Sequence, residues 1–207
     1  MQTKLLITLL LTLLVSTFSL QAQYTDLETT NKKCFIGSTA FVILGQFAQT
    51  NQPDFAQLNF GYRLTTKDVV SIEFKTWKYA WPIGIPYGEF FEAAGENFPG
   101  HIREFGVAFV YQRYWWKGLY TGVHVMNAFQ SFVNEEGNKI DNGFQLFNTY
   151  RLGYHVKLFN NRFFIEPSIA VTHRPLQTEM PDDFQIVNDK WSKFFFGEPG
   201  LHFGFNF

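Results

Sequence analysis

From Phe35 onward the apolar residues of this chain recur at every second position, and that period admits half-buried strands while excluding amphipathic helices. Near the C-terminus Phe195, Gly197, Pro199, Leu201, Phe203, Phe205 and Phe207 fall on one face. Phe196, Glu198, Gly200, His202, Gly204 and Asn206 fall on the other. The segment before it behaves alike, with Phe163, Ile165, Pro167, Ile169 and Val171 alternating with Phe164, Glu166, Ser168, Ala170 and Thr172. The same reading along the chain predicts eight strands, near 34–46, 55–64, 69–78, 104–114, 119–132, 143–158, 162–173 and 195–207.

The connections alternate in length. Thr65–Asp68, Trp115–Gly118 and Phe159–Arg162 are short turns of Gly, Asn and Asp type, whereas 47–54, 79–103, 133–142 and 174–194 are longer loops. Short turns on one side and long loops on the other match an all-β, antiparallel, up-and-down eight-stranded transmembrane barrel. A soluble ligand-binding barrel is the architectural alternative, because both kinds have one apolar and one polar face. The composition of the polar face separates them. It carries Gly61, Gly106, Ala108, Gly122, Gly153 and Gly200, where a solvated surface would carry interspersed Lys and Glu. The other face, with Phe60, Tyr62, Phe74, Phe105 and Phe109, is too aromatic to fill a narrow interior and is expected to point outward. Tyr114, Trp115, Trp116 and Tyr120 at one end, and Trp77, Tyr79 and Trp81 at the other, read as interfacial aromatics.

Residues 1–22 read as a secretory signal peptide, with Lys4 as the positive region, Leu5–Val15 as the apolar stretch and Ala22 at the cleavage end. Residues 23–33 follow as an N-terminal periplasmic segment, and 34–207 form the barrel. Aromatic residues make up 19% of the chain, which excludes disorder, and 17 basic against 18 acidic side chains give no electrostatic footprint for nucleic acid. The single cysteine, Cys34, excludes a disulfide framework and a cysteine metal cluster.

The ending Gly200-Leu201-His202-Phe203-Gly204-Phe205-Asn206-Phe207 is the most specific mark in the chain. It resembles the C-terminal assembly signal of small outer-membrane β-barrel proteins of the OmpA/OmpX type, in which the terminal Phe follows apolar residues at alternate positions. The resemblance implies that Leu201, Phe203, Phe205 and Phe207 are read by the barrel-assembly machinery. It further implies a monomer in the outer membrane of a Gram-negative cell, in contact with membrane lipid and lipopolysaccharide.

Under this parity Arg63, Lys75, Arg151 and Lys157 face inward together with Glu73, Glu104, Glu166 and Glu198. A balanced set in a narrow space is expected to pair, since an unpaired buried ion is strongly unfavourable. The expected function is structural or interactive, with a closed and salt-bridged interior. One alternative is a narrow pore or transporter for small hydrophobic molecules. The other is a lipid A-modifying enzyme, for which His155, Glu166 and Ser168 are the candidate residues, because Glu can orient His and His can activate Ser. If the last turn centres near 160–161, His155 lies opposite Glu166. A hydrogen-bonded interior histidine is the plainer reading of His155, as it is of His124 and His202. No cofactor is implied, and the acidic groups Asp182, Asp183 and Asp189 lack the spacing of a calcium loop.

Overall fold

The computed structural model describes residues 32–41, 54–82 and 97–207, and over them the two-residue period becomes nine strands and one short helix. In chain order these are β1 (Cys34–Thr39), β2 (Ala56–Arg63), β3 (Asp68–Tyr79), β4 (His101–Trp116), β5 (Leu119–Val133), β6 (Lys139–Tyr154), β7 (Val156–Leu158), β8 (Phe163–Gln177), α1 (Asp182–Asn188) and β9 (Phe194–Asn206). The signal-peptide reading and 23–31 of the N-terminal segment lie outside the described residues, as do 42–46 of the first expected strand and the middle of the second long loop.

All pairings are antiparallel, in the order β6-β5-β4-β3-β2-β1-β9-β8-β7, and β6 pairs with β8 as well. The sheet therefore curls into a ring. Each strand pairs with its chain neighbour except where β6 passes over β7 to meet β8 and where β1 meets β9, with Ile36 opposite Phe205 and Ser38 opposite Phe203. No helix among the described residues is long and apolar enough to cross a membrane, a statement that does not bear on strands.

Strand pairing corrects the expected eight-stranded transmembrane barrel. The segment expected as one strand over 143–158 is two, because β5 begins at Leu119, opposite Tyr154. Beyond that point only the His155 N–H still reaches that side, at the Gly118 carbonyl, and β7 pairs with β8 alone among the strands. The result is a nine-stranded ring-like sheet with β7 as a short edge, rather than a uniform eight-stranded cylinder. The register is continuous across the break, with Gly153 opposite Ser168 and Val156 opposite Ile165.

Two glycines set local geometry. Lys117 (φ 46°) and Gly118 (φ 91°) both have positive φ, the conformation a two-residue hairpin turn demands between β4 and β5. Gly197 (φ 86°) sits where the β8–β9 register shifts between Ala170 and Val171, next to Pro199, which cannot donate to the ladder.

Burial along the strands alternates with the same period as the sequence: β2 reads exposed-buried throughout, and β5 nearly so. Outward side chains are the apolar ones. Phe109 is 61% exposed and Phe105 50% exposed, while neighbouring Ala108 is 1% exposed. Inside the ring two apolar clusters flank a polar middle. Phe35, Val69, Tyr114, Tyr120 and Phe164 form one cluster, and Trp77, Tyr79, Ile102, Met126, Phe132 and Phe184 belong to the other. Four of the expected interfacial aromatics are thus interior. Trp77, Tyr79, Tyr114 and Tyr120 are buried, whereas Trp115 and Trp116 are exposed.

The fourth long loop contains structure that the period-two pattern does not reveal. β8 runs on to Gln177, and α1 then starts after Pro181 with Asp182 and Asp183 in its first turn, where acidic groups complement the helix dipole. Phe184 of α1 stacks on Phe98 and meets Phe132 edge-on, so the helix closes that end of the interior. Arg174 fastens it, donating to the Pro82 carbonyl (2.9 Å), Asn188 Oδ1 (3.0 Å) and the Ser192 carbonyl (3.0 Å).

Candidate functional site

Three buried carboxylates are spaced along the interior, with Glu104 and Gln112, the partner of Glu166, lying eight residues apart on β4. The first is Glu73 on β3, which pairs with Lys75 Nζ at 3.1 Å and faces His124 Nδ1 at 3.5 Å. Burial pushes its carboxyl up, but the Lys75 charge, His124 and the nearby His202 outweigh burial and hold it well below the usual range.

Glu166 on β8 is the second. Its Oε1 accepts from the Tyr114 hydroxyl at 2.9 Å and lies 2.7 Å from His155 Nδ1, and its Oε2 accepts from Gln112 at 3.4 Å. Burial again pushes the carboxyl up, and the His155 hydrogen bond with the His155, His202 and Tyr114 contributions brings it down to about 2. Burial pushes His155 down while the Glu166 carboxylate beside its Nδ1 pulls it up, and burial dominates.

The third, Glu104 on β4, has no such cation in contact. One oxygen accepts from Tyr79 (3.0 Å), Gln130 (2.9 Å) and Gln145 (2.6 Å), yet burial dominates these donors and its carboxyl is raised. Three buried carboxylates thus differ because of what donates to them.

Of the remaining expected charges, Arg151 donates to Ser168 Oγ at 2.9 Å and pairs with Glu198 at 3.4 Å. Arg63 donates to Asn206 Oδ1 at 2.8 Å and lies over the Phe35 ring. Lys157 sits half-buried on β7. The expected wholesale carboxylate–cation matching is therefore partial. Glu73 with Lys75 and Arg151 with Glu198 pair directly, while Glu104 and Glu166 are satisfied mainly by tyrosine, glutamine and histidine.

Sequence reasoning missed those neutral donors. Gln112, Gln130, Gln145, Tyr79 and Tyr114 share the inward parity of the charges, and that parity was the available signal. Arg113 lies over the Trp115 ring, and its guanidinium pairs with Asp68 at 2.6 Å.

The acyl-transfer constellation is only half assembled. His155 and Glu166 meet, but the Ser168 hydroxyl accepts from Arg151 and donates to the Gly200 carbonyl at 3.3 Å. A serine committed in this way has no base on its proton, and His155 Nε2 is buried without a partner among the described residues. The void at the centre, between Gln112, His124, Arg151, Glu166 and His202, measures about 20 Å³. That is room for about one water, not for a substrate or a conduit. Among the described residues no cluster of His, Cys, Asp and Glu could hold a metal ion.

No family model, curated protein or solved structure matches the chain. The resemblance to OmpA/OmpX-type proteins is accordingly corrected, together with everything that rested on it. Outer-membrane localisation, contact with membrane lipid and lipopolysaccharide, and the monomeric cell-surface role have no support beyond it. In the structure Leu201, Phe203, Phe205 and Phe207 belong to the C-terminal segment, where Leu201 pairs with Pro167, Phe203 with Ile165 and Phe205 with Phe163. This places them between β1 and β8 and carries no sign of the assembly machinery. The pore alternative finds no conduit in the void of about 20 Å³, and the lipid A-modifying alternative finds Ser168 bonded to Arg151 and Gly200 instead of His155.

Proposed function

We propose that this chain is a binding module that works through its outer face, which it buries against an apolar partner, while its interior serves to fix the shape of the sheet. The observation that carries this reading is the inversion of polarity: large apolar side chains such as Phe60, Phe74, Phe105, Phe109, Phe129 and Leu152 are exposed around the ring, and carboxylates are buried within it. Contiguous exposed apolar surface beyond a few hundred Å² marks an interaction site. Each such side chain contributes about 1.5–3 kcal/mol when it is buried completely, so a partner covering several of them is held firmly. The interior network supports the reading from the other side. Its carboxylates are held by interior donors around a void of about 20 Å³, which leaves the outside as the working surface.

Sedimentation velocity tests the proposal. The purified chain is compared in buffer, in buffer with a non-ionic detergent, and over a range of protein concentrations. Covering of the outer face appears either as association that deepens with concentration or as a bound detergent belt that abolishes it. A chain that stays monomeric in buffer and binds no detergent overturns the proposal.

A further inference from the structure

We propose that the outer face of β3, β4, β5 and β6 carries a specific site for a small hydrophobic anion, an apolar body bearing one carboxylate, sulfonate or phosphate. The proposal deepens the outer-face reading and rests on it. Its basis is two adjacent rows of outward side chains. Along one ladder row Thr76 faces Phe105, Phe105 faces Phe129, and Phe129 faces Phe144. Two residues on, Lys78 faces Arg103, Arg103 faces Ser131, and Ser131 faces Asn142. An aromatic strip thus lies directly beside a cationic and hydrogen-bonding strip, which is the layout an amphipathic anion requires.

The rows border a concavity of about 460 Å³, within the range of small-molecule pockets. Phe105 and Phe129 are both at least half exposed there, and Phe129 is held by an edge-to-face contact with Phe144 (ring centroids 5.6 Å apart). An apolar body laid on them removes ring surface from water.

Charge selects the head group. Lys78 Nζ and Arg103 Nη2 both approach the same oxygen of Asp54, each at 3.7 Å, near the limit of an ion pair. Among the described residues these two cations share one carboxylate, which leaves one positive charge over. Glu104 also borders the concavity, but its carboxyl is turned inward onto Tyr79, Gln130 and Gln145. The Arg103 side chain is 61% exposed, so its guanidinium is free to turn onto an arriving anion and grip it with two parallel N–H donors. Ser131 and Asn142 supply hydroxyl and amide groups beside it.

The test compares two fluorescent probes that differ in charge, 8-anilinonaphthalene-1-sulfonate and the uncharged N-phenyl-1-naphthylamine, on the full chain in low salt. The sulfonate is expected to bind at one saturable site. The double variant Lys78→Gln, Arg103→Gln should weaken it by about tenfold or more, with no change for the uncharged probe. Raising the salt should weaken the sulfonate alone. The variant Lys67→Gln, Lys117→Gln removes the same charge at distant turns and should leave both probes unaffected. Equal loss in the two double variants, or sulfonate binding indifferent to Lys78→Gln, Arg103→Gln, overturns the anion site while uncharged-probe binding still upholds the apolar outer face. Failure of both probes to bind overturns both.

Discussion

Replacing Glu166 with Gln removes one buried charge at nearly constant volume, and the structure fixes how the effect should depend on pH. In the folded protein the carboxylate takes His155 and Tyr114 on one oxygen and Gln112 on the other. Its carboxyl is held at about 2, against 4.5 for the ordinary group. That difference corresponds to about 3 kcal/mol of stability carried by the ionised form. Because the folded value lies below the unfolded one, the contribution is complete above about pH 4.5 and vanishes as pH falls towards 2. Glu166→Gln retains one acceptor oxygen but loses the charge, so it should be about 2–3 kcal/mol less stable at pH 7. The gap should narrow through pH 4 and nearly close by pH 2. Urea unfolding followed by tryptophan fluorescence, at matched pH for both proteins, reads it directly. A gap below about 0.5 kcal/mol at pH 7, or one of the same size at pH 3 as at pH 7, refutes the reasoning, since neither fits a carboxylate stabilised by these donors.

Further outcomes follow from single features. Burial pushes His202 down to about 3 from 6.5, so the folded state holds it neutral; stability should fall as pH drops from 6.5 towards 3, and His202→Gln should flatten that slope in the same unfolding assay. Phe184→Ala empties the contact with Phe98 and Phe132 under α1, and should cost about 3 kcal/mol and speed amide exchange at Phe98 and Ile102. Gly204→Ala drives a methyl towards the Ile36 carbonyl at 2.7 Å and into the Phe164 ring, whereas at Gly106 the obstacle is the Met126 side chain, which can move. Gly204→Ala should therefore be the more destabilising of the two, by about 1–3 kcal/mol in thermal melts. Equal melting temperatures for the two glycine variants count against the packing described here.

The two-residue period is a property of residue order, and that is why so much of the strand pattern can be read before any coordinates. It separates Glu73, Glu104 and Arg151 from Phe60, Phe105 and Phe109, and burial separates the same residues in space. It also places His155 opposite Glu166, given the position of the last turn. Three things do not follow from it. The break between β6 and β7 depends on where β5 starts, a property of pairing that no stretch of 143–158 encodes. The identity of donors inside the ring depends on reach: Tyr114 and Tyr79 read as surface aromatics beside turns, but their inward parity carries each hydroxyl to a carboxylate. Finally, α1 interrupts a polar loop with a single buried anchor, Phe184, too short a segment for a helical period to register. Family resemblance misled for a further reason. Alternation with a terminal phenylalanine is a pattern any outward-apolar sheet can show, so it constrains the strand faces without identifying a lineage.

The apolar side chains of the strands look out and are available while their polar neighbours look in. Single cysteines placed in turn at 108, 109, 110, 111, 169 and 170 in a Cys34→Ser background, treated with a water-soluble maleimide on the partner-free protein, test it most directly. Cysteines at 109, 111 and 169 should label rapidly, those at 108, 110 and 170 only after unfolding, and an apolar partner or detergent should protect the first group alone. Rapid labelling at 108, 110 and 170 with protection at 109, 111 and 169 in plain buffer would contradict it.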